Sequence, residues 1–309
     1  MSSSPIFKLV HCIALTLVIN AAPRFVQAQP KSRKDLSLRN GSGLQLLADD
    51  GLHPRVRIIL PGHPTSDKAI EVIFPEHVSA LKSGASVVEH LYMSTSVAAA
   101  DPPRWRRVGR SLEYERELPN EIHLLARAIL ESDGVRFHYE FLNRSSVAYQ
   151  MIYAVTDPRL TSIFHDVRLE RTYVHHTNGF DLLASQTPER LTMPLDQWLP
   201  ARYLASFTWP VPARPVERRE DGINYYNKSL AVDEPFIATL STEGGWVVAS
   251  FTRDTGNVWS NPELTCQHVD PQTSLPARQR RVVEMKLLIL HGSLDEAFQR
   301  AIRQRKSLK

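Results

Sequence analysis

The chain has 309 residues, 42% of them hydrophobic and 23% charged, with 21 Pro, 13 Gly and only 2 Cys. That composition excludes a disordered, collagenous or disulfide-stapled chain. The formal charge of +4 invites a nucleic-acid partner, but nine Lys/Arg against three acids fall between Arg278 and Lys309. No basic stripe interleaved with aromatics occurs elsewhere, so no nucleic-acid partner is expected.

Lys8, an apolar run over Leu9–Ala22 and the small-residue site Val26-Gln27-Ala28 predict a secretory signal peptide over residues 1–28. The run is shorter than the roughly 20 residues a membrane span needs. An uncleaved N-terminal anchor is the alternative. Cleavage after Ala28 leaves 281 residues of net charge +2, with Cys266 as the sole cysteine. The expected product is exported, periplasmic or extracellular, with no membrane attachment. It stands without an intramolecular disulfide, which an oxidising compartment permits but does not require.

Residues 29–54, with Asn40-Gly41-Ser42-Gly43, read as a flexible polar leader. Order is expected from Arg55, and residues 55–309 as one domain. Val56–Leu60, Ile70–Phe74 and Val87–Met93 are short β-rich runs. Ile122–Leu142 holds the clearest hairpin. Alternating arms flank Asp133-Gly134, a two-residue turn signal. Tyr149–Val155 continues the pattern, and Thr161–Leu169 has room for a helical turn. Arg171–His176 and Phe180–Ala184 flank Asn178-Gly179 as a second hairpin. Residues 186–216, rich in Pro and carrying Trp198, Tyr203, Phe207 and Trp209, read as a long ordered loop. Phe236–Ser241 and Trp246–Thr252 form a third hairpin, and Val282–Leu290 a late strand. One helix is predicted over 293–306. Ser293 and Glu296 make a capping box, and Leu294, Ala297, Phe298, Ala301 and Ile302 form an apolar stripe. Many strands without βαβ alternation predict an all-β fold: a large antiparallel β-sandwich with one C-terminal helix.

No dinucleotide fingerprint, P-loop, HExxH, paired CxxC or GxSxG occurs, so neither a cofactor nor a metal is expected. The densest polar segment is Thr255–Pro271, with Trp259, Asn261, Glu263, Cys266, His268 and Asp270. In an extended chain Cys266 and His268 point to one face, and Asp270 joins them if the extension persists. A carboxylate beside an imidazole suits acid–base work. The competing reading is a loop whose polar groups satisfy its own turns. A second cluster puts Arg171, Tyr173 and His175 on one strand face, able to hold a carboxylate or sugar hydroxyls. Trp198, Tyr203, Trp209, Tyr225 and Tyr226 either stack on sugar rings or anchor loops to the sandwich. Cys266 lacks the cationic surroundings of a nucleophile.

The stretch Ser132–Ser146, SDGVRFHYEFLNRSS, resembles the turn–strand–Asn-x-Ser passage of galactose mutarotase-like β-sandwich proteins. NVWSNPELTCQHVDP and LILHGSLDEAF are similar to a group of exported bacterial proteins. The resemblance implies a supersandwich with a carbohydrate site on a concave sheet. It also implies a His acid paired with a Glu base, for which His175 or His268 and Glu263 stand as candidates.

Two functions remain open from sequence. One is a carbohydrate-binding or carbohydrate-active protein (epimerase, lyase or hydrolase) without a nucleotide cofactor. Its candidate catalytic residues are His268, Glu263, Asp270 and His175. Its candidate substrate-binding residues are Arg171, Tyr173, Trp259, Asn261 and Trp209. The other is a non-catalytic envelope or extracellular interaction protein.

Overall fold

The computed structural model describes residues 36–49, 51–63, 69–94, 102–209 and 216–309. The predicted signal peptide lies outside them. Among the described residues, twenty strands carry the fold. The first five are β1 (Ser37–Arg39), β2 (Gln45–Ala48), β3 (Arg55–Ile59), β4 (Ile70–Lys82) and β5 (Glu89–Met93). Next come β6 (Arg106–Val108), β7 (Ser111–Leu118), β8 (Ile122–Glu131), β9 (Gly134–Asn143) and β10 (Tyr149–Arg159). A single 3-10 turn at Ser162–Phe164 precedes β11 (Thr172–His176) and β12 (Gly179–Leu182).

The stretch expected to be one long loop is instead segmented. It holds α1 (Glu189–Thr192), α2 (Leu195–Trp198), β13 (Ala201–Ser206) and β14 (Val216–Arg218). After it come β15 (Asn224–Asn227), β16 (Phe236–Leu240), β17 (Trp246–Thr252) and β18 (Asn257–Ser260). The chain closes with β19 (Gln272–Leu275), β20 (Arg280–His291) and α3 (Leu294–Arg305).

The described strands form three sheets. A seven-stranded sheet runs β1-β2-β3-β4-β10-β19 with β5 beside β4. A nine-stranded sheet runs β12-β11-β16-β17-β20-β9-β8-β7-β6, and a four-stranded sheet β14-β15-β13-β18. All pairs are antiparallel except β13 with β15. The fold class is therefore the predicted one, an antiparallel β-sandwich with one C-terminal helix.

The two large sheets face each other across one core. Val72, Phe74 and Ile152 come from the first, and Tyr114, Phe137 and Leu287 from the second. Phe74 and Phe137 rings lie 5.0 Å apart, and the Tyr114 hydroxyl donates to the Phe74 carbonyl at 2.7 Å. Burying these rings is the dominant driving force.

The outer face of the nine-stranded sheet is covered by α3. Phe236, Ala238, Ala249 and Leu288 pack there against Ala297, Phe298 and Ala301. β16 is thus buried on both faces. The capping box forms as predicted: Glu296 N–H donates to Ser293 Oγ at 3.2 Å and Ser293 N–H to Glu296 Oε2 at 2.8 Å. No helix among the described residues is long and apolar enough to cross a membrane.

Order begins earlier than the sequence suggests. Asn40–Gly43 is a turn between β1 and β2, not part of a linker. The Asn40 side chain donates to the Glu131 carbonyl at 2.5 Å, and Leu38, Leu44 and Leu46 are buried. The turn of the β8–β9 hairpin is Ser132-Asp133, one residue before the predicted Asp133-Gly134, and Gly134 opens β9 opposite Glu131, where the glycine is obligatory. A Cβ at Gly134 would stand 2.0 Å from the Leu287 carbonyl oxygen.

That turn also anchors a buried cation. Lys286, 2% exposed, donates to Asp133 at 2.6 Å and to Glu131 at 2.7 Å. Burial works against the Asp133 carboxylate, but the Lys286 hydrogen bond and charge, with Gln304 and Arg300, together outweigh it and hold the carboxyl below its ordinary range. Glu284 is likewise opposed by burial and lowered by His138 and Arg136. Groups with depressed folded values contribute stability that is complete above the ordinary carboxylate range and lost as pH falls through it. The share of stability these carboxylates supply, read from urea-unfolding midpoints, should therefore be constant from pH 7 to about 5 and fall below about pH 4. Asp133→Asn should flatten that acid limb, and an identical limb in the variant would contradict the assignment.

Candidate functional site

The polar segment singled out in the sequence turns at Pro262–Thr265 and then runs extended through Cys266–His268. Two short backbone bridges hold it. Cys266 bridges Arg159 at the end of β10, and His268 bridges Trp259 of β18. Trp259 and His268 exchange both backbone hydrogen bonds, at 3.1 and 2.9 Å. Alternation along the extended chain sends Cys266 and His268 to one side and Gln267 to the other.

On the first side is a buried polar cluster. His268 Nε2 lies 2.9 Å from Cys266 Sγ and 3.7 Å from Asp157 Oδ1. His268 Nδ1 lies 3.6 Å from Asp270 Oδ1. Asp157, Cys266 and His268 are each 1% exposed. The Trp259 indole stacks on the imidazole at 3.6 Å and 5°, and its N–H donates to Asp270 Oδ2 at 3.2 Å. Arg159 donates to Asp157 Oδ2 at 2.6 Å, and Glu76 lies 3.8 Å from the same guanidinium.

Burial opposes a charge on His268, but Cys266 and Asp270 outweigh it and raise the imidazole well above its ordinary value. Burial pushes the Asp157 carboxyl up, against the pull of His268 and Arg159. Burial also pushes the Cys266 thiol up, which makes it a poor nucleophile. One donor atom from each of Asp157, Cys266 and His268 lies within 4.8 Å of the other two, a donor set able to hold a metal ion.

In front of Trp259 opens a cleft of about 250 Å3. The four-stranded sheet and its loops supply Arg202, Leu204, Trp209, Tyr225, Thr255, Gly256, Asn257 and Trp259. The seven-stranded sheet supplies His77, Tyr153, Val155 and Gln272, and Asp270 completes the lining. Strand pairing explains the company: Leu204 pairs with Trp259 and Arg202 with Tyr225. Glu263 does not line the cleft. It accepts from Arg202 at 3.2 Å and from the Ala201 N–H at 3.0 Å, so it fixes the guanidinium that does. Trp209 is 51% exposed, and its indole packs on Gly256, where a Cβ would stand 2.4 Å from the ring.

Of the sequence candidates, Trp209, Tyr225, Trp259 and Asp270 meet in this cleft, with His268 directly behind Trp259. Asn261 takes the structural role, its side-chain oxygen accepting from the Leu264 N–H at 3.2 Å. Arg171, Tyr173 and His175 are not brought to the cleft, which corrects the expected joint site with His268. Arg171 is spent on backbone carbonyls of Ile163, His165 and Leu240. His175 pairs with Asp233 at 2.7 Å and stacks on Phe298 of α3 at 4.0 Å. The face they share is the one the C-terminal helix covers. Trp198 and Tyr203 are buried anchors.

Sequence reasoning missed His77, Tyr153, Arg202, Asn257, Gln272 and Asp157. Pro75 reads as a strand end, yet β4 runs on through it and Val78 and Ala80 continue the inward alternation.

No protein-family model matches the chain, and no curated protein does. Among solved structures the chain is similar to a galactose mutarotase-like protein from Lactobacillus casei. That match has 10% identity and a TM-score of 0.44, over 82% of this chain and 99% of that one. It is also similar to an α-N-acetylgalactosaminidase from Bifidobacterium bifidum, with 11% identity and a TM-score of 0.44, over 87% of this chain and 38% of that one. A polysaccharide lyase matches with 8% identity and a TM-score of 0.35, over 85% of this chain and 33% of that one.

Proposed function

We propose that the cleft binds a saccharide. The observation that carries this reading is the meeting of Trp209, Tyr225 and Trp259 with Arg202, Asn257, Gln272 and Asp270 in one small opening. Aromatic rings offer apolar faces to the C–H surface of a sugar, and the interleaved amides and charges suit its hydroxyls. The cleft falls just below the roughly 300–1,000 Å3 of pockets for drug-sized ligands, which suits one or two sugar rings. Asp270 and His77 are the carboxylate and imidazole in the lining from which acid–base work on a bound sugar would draw. His268 acts behind them, orienting Trp259 by stacking.

The test is a glycan-array screen followed by calorimetric titration of the strongest ligand. Trp209→Ala should weaken binding by about tenfold or more while leaving the thermal midpoint unchanged, because the side chain is half-exposed. Gly256→Ala should act in the same direction by displacing the indole. Equal affinity in both variants would overturn the reading. Failure of every glycan to bind would favour the interaction-module alternative.

The reading includes export, on the strength of the Leu9–Ala22 run and the Val26-Gln27-Ala28 site. N-terminal sequencing of the protein recovered outside the cytoplasm should begin at Gln29. A chain still beginning at Met1 would contradict export by cleavage.

A further inference from the structure

The cluster behind Trp259 is more than a support for the cleft. We propose that Asp157, Cys266 and His268 form a site for one divalent cation of the zinc type. The donors are a thiolate, an imidazole and a carboxylate, the set that borderline cations take. An ion held about 2.0–2.3 Å from each donor sets neighbouring donors roughly 3.4–3.6 Å apart. The separations of 2.9 Å from Nε2 to Sγ and 3.7 Å from Nε2 to Oδ1 straddle that spacing.

Two further observations point to a ligand. Asp157 Oδ1 is buried and has no hydrogen-bond partner, on a residue 1% exposed. A buried acceptor left bare is destabilising, more so when charged, and a cation removes that cost. The supporting groups also have the arrangement that orients metal ligands. His268 turns Nε2 toward Cys266 and Asp157, and Nδ1 toward the Asp270 carboxylate. Asp157 presents Oδ1 to the cluster while Arg159 holds Oδ2 at 2.6 Å. The Asn261 N–H donates to the Cys266 sulfur. Asp157 and Cys266 are thus each held by an outer partner, and His268 faces a carboxylate at 3.6 Å, the position from which an outer partner orients a metal-bound imidazole. Three protein donors leave one position of a tetrahedron to a non-protein ligand.

Covalent catalysis by Cys266 does not compete as an explanation, because the sulfur is buried and does not line the cleft. The proposal stands independently of what the cleft binds.

The test is titration of the chelator-treated, purified protein with Co2+. One equivalent should raise a near-ultraviolet thiolate-to-cobalt charge-transfer band, and one equivalent of Zn2+ should abolish it. Cys266→Ser should lose the band. Asp270→Asn, which removes only the outer carboxylate, should keep the band and weaken cobalt affinity by about 10–100-fold. Folding of each variant is checked by circular dichroism. A folded wild-type protein with no saturable band, or a band of equal strength in Cys266→Ser, would overturn the proposal. Unchanged affinity in Asp270→Asn would overturn the assigned outer partner and with it the geometry argued here.

Discussion

Four residues, Thr265 to His268, hold the three sheets to one another. Thr265 and Leu160 exchange backbone and side-chain hydrogen bonds at the end of β10, and Gln267 N–H donates to Pro158. His268 and Trp259 pair their backbones on the four-stranded sheet. The Gln267 side chain, fully buried, turns the other way into the nine-stranded sheet. It donates to Thr239 Oγ1 at 2.9 Å and to the Val248 carbonyl at 3.2 Å, and accepts from Ser250 at 3.0 Å. A buried amide is stable only when its polar atoms are satisfied, and here each partner lies on β16 or β17. The segment therefore fixes a register between sheets that apolar packing alone leaves free.

The same alternation builds the site. With Gln267 committed to one side, Cys266 and His268 must face the other, where Asp157 and Arg159 arrive from β10 and Trp259 from β18. The imidazole is stacked, flanked by two carboxylates and closed off from water. Such a group is rigid, and the cleft in front of it inherits that rigidity through Trp259 and Asp270. Binding sites on rigid supports lose less entropy when a ligand arrives.

Much of the sandwich was legible because its signals are local. The Ile122–Leu142 hairpin, with its turn one residue earlier than predicted, the capping box at Ser293 and the shared face of Cys266 and His268 follow from spacing alone. What sequence could not show depends on contacts distant along the chain. Asn40–Gly43 has linker composition, yet its partner is the carbonyl of Glu131, 91 residues on. Arg171 and His175 share a face, as their spacing requires, but α3 covers it from more than 100 residues away. His77 and Tyr153 meet because β4 pairs with β10, and Arg202 and Trp259 reach them because the Cys266–Arg159 and His268–Trp259 bridges draw the four-stranded sheet to the end of β10. No period within one segment encodes that meeting. Glu263 shows the opposite error: a carboxylate of the right type that serves to position Arg202 rather than to meet a ligand.

The claim that this segment ties the sheets together is tested most directly by urea unfolding of Gln267→Ala. Truncation leaves the Ser250 hydroxyl without its acceptor, Thr239 without its amide donor, and a void between sheets. The account predicts a loss of about 2–4 kcal/mol in unfolding free energy, in a single cooperative transition. A midpoint and slope equal to those of the unaltered protein would contradict it.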